Sequence, residues 1–351
     1  MQPHYQDLIS SFPFLQPPPE PSKHSGLHRW STPTTKDLRE AFDDGSIAEL
    51  ISCLASAHAE VRALAITNLN IVLVRTAAIR DTYPDAAQLY LLLGELIATA
   101  TPLISGGGAD PVPTLVTAYA AAAIAVLTDP LHPLYETICR FHTRAPSWNP
   151  SRLPSQLIHR VLFSTPSAMP SSVSASGNPR GGSGGTSVST GSRSLPDLAW
   201  LLAYLLAGLC TPTDLSILQA RGSLESILAL AARPSVSAGL RGQVLALVWR
   251  ASCIQGGSTT LATRAGVFAW LGALIADTPD SEYVRDRLRD IGDDEAPTGT
   301  NNEAFHMLAT RWGMCCLVRR LWKTCDRERV DAWSAGTMEK MVEGIIRDHV
   351  A

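Results

Sequence analysis

Charge of one sign is what this sequence has least of. Its 351 residues carry 29 lysines and arginines against 32 aspartates and glutamates, a formal net charge of -3. Such a chain has no bulk field with which to hold phosphate backbones non-specifically, so any nucleic-acid contact must be local. A strong Lys/Arg run is also missing, so nuclear import would depend on a partner or on further sequence. Cysteine is sparse: the seven residues are odd in number and scattered, which points to reduced thiols in a cytosolic or nuclear setting. The first residues include His4 and Asp7 and run into Pro17-Pro18-Pro19, where a secretory leader would need an apolar core of roughly 7–15 residues, so no secretion is expected. The most apolar stretches, 114–127 and 198–209, fall short of the ~20 residues that span a bilayer and read as buried helices.

What the sequence does have is helical periodicity. Residues 1–36 are rich in Pro, Ser and His and read as a flexible tail, but from Asp37 onward the pattern changes. Leu50, Leu54, Val61, Ala65, Ile66, Leu69, Val72 and Leu73 recur at three- and four-residue steps, and no comparable run alternates with period two. Ser46 with Glu49, and Thr211 with Asp214, have capping-box spacing, and Pro212 stands where a first helical residue would. Val61-Arg62, followed by Ala and Leu positions, resembles the second helix of a HEAT repeat. The expected fold is all-α, a degenerate HEAT/armadillo-like helical solenoid. Two helical blocks, 37–163 and 196–351, flank a Ser/Gly-rich linker at 164–195 that is too polar to offset its ordering entropy, and an acidic loop is expected at about 277–303.

Catalytic signatures are weak throughout. Gly181-Gly182-Ser183-Gly184-Gly185 matches a nucleophile elbow formally, but it lies in low-complexity sequence without the strand and helix that the motif requires. No glycine-rich run leads into Gly-Lys-Ser/Thr. Cys315, Cys316 and Cys325 lie near His306 in sequence, yet their spacing fits no familiar zinc site and they read as buried small residues; His24 and His28 sit in the Pro-rich tail. We therefore expect no enzyme, cofactor or metal. Trp200, Trp249 and Trp270 lie in apolar helices and are expected in the core.

Two segments are candidate contact sites. Arg311, Arg319, Arg320, Lys323 and Arg327, with Arg329, are interleaved with Trp312, Trp322 and Trp333, a combination able to grip phosphate and stack on unpaired bases. The same spacing also describes an apolar stripe that becomes charged as a helix leaves the core, the commoner case. Gly256-Gly257-Ser258-Thr259-Thr260 offers hydroxyls and amides to an anion, though such a run is more often the turn between two packed helices.

That glycine run, with the residues from Arg250 through Leu261 and on through Gly266 to Trp270, resembles a segment of the nucleolar pre-ribosomal-associated protein 1 family. Pro130 to Tyr135, Pro146-Ser147-Trp148, Leu153-Pro154, Trp200-Leu201-Leu202 and Thr211 to Asp214 come in the same order, and the likeness covers about 47–275. The resemblance implies a non-catalytic scaffold of early large-subunit assembly in the nucleolus, in contact with pre-ribosomal proteins and precursor rRNA and with neither a small-molecule substrate nor a membrane. It offers no catalytic residues to carry over. Family members are far longer, so this chain looks like a C-terminal fragment, a shortened gene model or a separated paralogue. The alternative is an armadillo-type adaptor for protein partners without a ribosomal role.

Overall fold

The computed structural model describes residues 35–79, 86–105, 110–144, 149, 155, 157–158, 195–234, 236–278 and 301–350. The residues expected to form the tail to position 34, nearly all of the Ser/Gly linker with its Gly181–Gly185 run, and 279–300 of the acidic loop lie outside these. His24, His28, Pro146-Ser147-Trp148 and Leu153-Pro154 do too.

The chain is all-α, and no strand occurs among the described residues. Helices α1 (Thr35–Asp43), α2 (Ser46–Ser52), α3 (Ala59–Ala78) and α4 (Ala86–Ser105) lead to α5 (Thr114–Leu127) and α6 (Tyr135–Arg144). Then come α7 (Leu195–Gly208), α8 (Pro212–Gln219), α9 (Ser223–Ala231), α10 (Ala238–Ser252), α11 (Gly257–Arg264) and α12 (Val267–Ala276). The last four are α13 (Asn301–Leu308), α14 (Arg311–Thr324), α15 (Arg327–Ser334) and α16 (Thr337–Val350).

Local chemistry explains many of the helix starts. Thr211 and Asp214 form the expected capping box, with Pro212 at the first helical position of α8. Ser237, Thr310 and Asp326 each accept a backbone N–H from the first turns of α10, α14 and α15. The start of α2 differs from expectation. Ser46 is not its cap: Gly45, at φ 84°, takes the N-cap position without a side-chain bond, and Asp44 Oδ1 accepts from the Ser46 amide instead. A left-handed cap conformation favours glycine, and this shifts the start by one residue from the Ser46–Glu49 spacing.

Helix α5 is apolar around most of its circumference and is surrounded accordingly: α2, α4, α6 and α7 all pack on it. Packing then proceeds from α7 to α10, from α10 to α13 and α14, and from α14 to α12 and α16. One continuous apolar core runs from Leu38 to Val342. Two glycines permit close approaches between helices distant in sequence. A Cβ at Gly208 would lie 2.8 Å from Leu115 Cα, and one at Gly242 would lie 2.0 Å from the Phe305 carbonyl oxygen, so α7 meets α5, and α10 meets α13, backbone to side chain or backbone.

The HEAT-like pair is divided between two jobs. Val61, Ala65, Leu69 and Val72 are buried, while the Arg62 guanidinium turns back to donate to the carbonyls of Ser56 (2.7 Å) and Ala57 (3.0 Å) ahead of α3. The expectation from segment length needs correction here. By length and composition alone, Ala59–Ala78 and Ala86–Ile104 are long and apolar enough to cross a membrane, because α3 and α4 outrun the two stretches singled out from the sequence. Trp249 is buried as expected; Trp200 and Trp270 are only partly buried but pack on the core, and the Trp270 indole N–H donates to the Leu228 carbonyl at 3.0 Å.

Candidate functional site

The C-terminal basic residues fall on α14 and just beyond it, but they do not make one open patch. Arg311 donates from Nε (3.2 Å) and a terminal nitrogen (2.7 Å) to the Thr278 carbonyl just past the end of α12, where a cation complements the helix dipole. Arg320 donates to Ser252 Oγ at 2.9 Å, points a terminal nitrogen at Cys253 Sγ, and stacks 4.7 Å above the Trp249 ring. It thereby ties α14 to the C-terminal end of α10. Trp322 is half-buried, edge-on to Phe268, with the Arg327 guanidinium over its ring, 5.3 Å from the centroid. Arg319 is half-buried and Lys323 exposed, so the row Trp312, Cys316, Arg319, Lys323 does pass from core toward solvent. Cys315, Cys316 and Cys325 are buried, and burial pushes the Cys325 thiol up. Among the described residues, no group of three or more His, Cys, Asp or Glu is placed to hold a metal ion. Substituting Arg320 with alanine is expected to reduce folding stability by about 1–2 kcal/mol, through the lost hydrogen bond and ring stacking, in thermal or urea unfolding. Unchanged stability would return Arg320 to the list of surface contacts.

The glycine run is a turn with a defined purpose. Helix α10 ends at Ser252, Gly256 adopts φ 72° as the N-cap of α11, and a Cβ at Gly257 would come within 1.9 Å of the Ala251 carbonyl oxygen. The next three hydroxyls are used inside the chain. Ser258 Oγ lies 2.6 Å from Thr324 Oγ1, Thr259 Oγ1 accepts from the Asp326 amide at 2.8 Å, and Thr260 Oγ1 donates to the Gly256 carbonyl at 2.8 Å. The turn therefore anchors the end of α14 and the start of α15. On its outer side is a groove of about 350 Å³ that runs along α8 and α11 and reaches the first turn of α15, with Arg264 and Arg329 in its lining.

A second polar centre was visible in only one of its parts. Asp214 is fully buried, and besides capping α8 through Thr211 it accepts from the Leu115 amide at 3.0 Å, in the first turn of α5 and 99 residues away. One carboxylate caps two helices. Burial pushes its pKa up, opposed by the hydrogen bonds from Leu115, Thr211 and Cys210. Beside it, Arg250 donates from Nε to the Leu209 carbonyl at 2.7 Å and points a terminal nitrogen at Cys210 Sγ. The two side chains fix where α5, α7, α8 and α10 meet.

A family model described as nucleolar pre-ribosomal-associated protein 1 matches residues 47–270, nearly two thirds of the sequence. The chain belongs to the nucleolar pre-ribosomal-associated protein 1 family. No curated protein and no solved structure matches it. The matched stretch runs from α2 into α12, so it contains the Asp214–Arg250 junction, the glycine turn and Arg264, whereas Arg311, Arg319, Arg320, Lys323, Trp322 and Arg327 lie beyond it. Within the family stretch, Phe141, His142, Trp200 and Tyr204 gather in edge-on and tilted ring contacts around Tyr119, whose Oη lies 3.3 Å from His142 Nε2. This cluster joins α5, α6 and α7 across the linker, and no sequence motif announced it.

Proposed function

We propose that this member of the nucleolar pre-ribosomal-associated protein 1 family is a non-catalytic scaffold in early assembly of the large ribosomal subunit and maturation of its precursor rRNA. The observation that carries the proposal is the family match over residues 47–270, which takes in the whole middle of the helical array. The row α2, α5, α7, α10, α14 and α16, each packed on the next, supports a degenerate HEAT/armadillo-like solenoid as the form of the scaffold. Such an array acts by presenting a long surface to several partners, here pre-ribosomal proteins and folded precursor rRNA in the nucleolus. A role in holding partners also suits polar centres whose hydrogen bonds are spent on joining helices.

Tagged full chain purified from nuclear extract under a salt wash tests the reading. Large-subunit precursor RNA and assembly proteins should co-purify well above an untagged control. Recovery of neither would end the ribosomal assignment for this chain, and recovery of a few proteins without precursor RNA would favour an armadillo-type adaptor.

A further inference from the structure

We propose that the groove between α8, α11 and α15 binds a short extended peptide bearing an oxyanion, with Arg264 and Arg329 holding the anion. The inference deepens the scaffold reading by naming a class of partner, and it stands on the groove's own chemistry.

The charged part comes first. Arg264 and Arg329 are exposed at the rim, and neither forms an ion pair among the described residues. Guanidinium groups so placed suit a carboxylate or phosphate, which each can take through two parallel N–H donors.

Which macromolecule carries the anion follows from the remaining groups. Ser216, Thr260 and Thr263 donate their hydroxyl protons to the carbonyls of Thr213 (2.7 Å), Gly256 (2.8 Å) and Thr259 (2.8 Å). Toward the groove they have lone pairs left, so they accept. Asp326 also accepts there, one of its oxygens already capping the Arg329 amide. An RNA backbone presents chiefly acceptors, and no aromatic side chain lines the groove to stack a base. An extended peptide presents backbone N–H groups to these acceptors.

Gln219 also lines the groove, its side-chain nitrogen shielded from solvent. Pro212 and Leu215 supply an apolar wall for one side chain. A volume of about 350 Å³ is at the small end of ligand pockets, suited to a few residues and too small for a docked helix.

The test uses immobilised full chain and nine-residue peptide libraries, degenerate except for a central Asp, Glu, phosphoserine, Ala or Lys. The libraries fixed as Asp, Glu or phosphoserine should be retained over those fixed as Ala or Lys. A fluorescein-labelled peptide from the retained pool should bind roughly tenfold or more weakly to an Arg264→Ala/Arg329→Ala variant whose circular dichroism is unchanged. Phosphoserine outranking Asp and Glu identifies a phosphorylated partner; equal retention identifies an acidic one. No preference for the anionic libraries, or equal binding by the folded double variant, overturns the proposal. So does an oligouridylate 12-mer that binds the wild type and not the variant, since it would assign the groove to RNA. Failure here with precursor-particle co-purification intact removes the groove and leaves the scaffold; peptide binding without co-purification does the reverse.

Discussion

An Asp214→Ala variant is expected to lose roughly 3–5 kcal/mol of folding stability, a large share of what a domain has. The residue makes two helix caps with one carboxylate, and each cap is worth about 1 kcal/mol by itself. Truncation also strands the buried Leu115 amide, and the Thr211 amide and hydroxyl beside it, at about 1–3 kcal/mol for each donor left unpaired and dry. Relief from burying a charge offsets part of this, because burial outweighs the hydrogen bonds and leaves the carboxyl pKa above its ordinary value. Asp214→Asn keeps one acceptor oxygen and carries no charge, so it should recover about half of the loss. Urea unfolding gives the magnitude, and amide exchange gives the location. The Leu115 amide should lose protection in Asp214→Ala beyond that of the α10 core; uniform loss across the chain would mean that α5 is not capped from α8.

The contrast between Asp214 and its neighbours shows where sequence reading ends. Thr211-Pro212 with Asp214 is a short-range pattern whose physics is contained in four residues, and it was legible as a helix start. The second bond of the same carboxylate crosses 99 residues, and nothing local specifies it. Helical periodicity likewise revealed the buried face of α3, since burial repeats at each turn, but it is silent on which helix lies opposite. Spacing misled at Ser46, where Gly45 made a left-handed cap available one residue earlier. It also grouped Arg311 and Arg320 with Lys323, because a run of cations looks alike whether its members face solvent or the polar groups at the end of a neighbouring helix. The groove escaped notice for the converse reason: Arg264, Gln219 and Arg329 come from three separate helices and form no motif until these pack.

Acidification from pH 7 to 4 is expected to remove about 3 kcal/mol of stability through His142 alone. The ring is buried against Tyr119 and Phe141, and desolvation lowers its pKa from 6.5 to about 4. Between those values the unfolded chain takes up a proton that the folded chain refuses, so stability rises with pH across this window and is lost as pH falls through it. Tyr204, on the other side of Tyr119, stays neutral throughout, its pKa driven further up by burial. Asp214 acts with the opposite sign: a raised carboxyl favours the folded state at low pH and loses that advantage as pH rises past its ordinary range. The net curve therefore mixes the two, and His142→Phe separates them. That variant loses the Tyr119 hydrogen bond at every pH, worth about 1 kcal/mol, so the advantage of the wild type at pH 7 should fall by about 3 kcal/mol on going to pH 4 and change sign. A pH-independent difference in urea unfolding would show that the imidazole titrates alike in the folded and unfolded chain, and that the joint between α5, α6 and α7 is wetter than its packing implies.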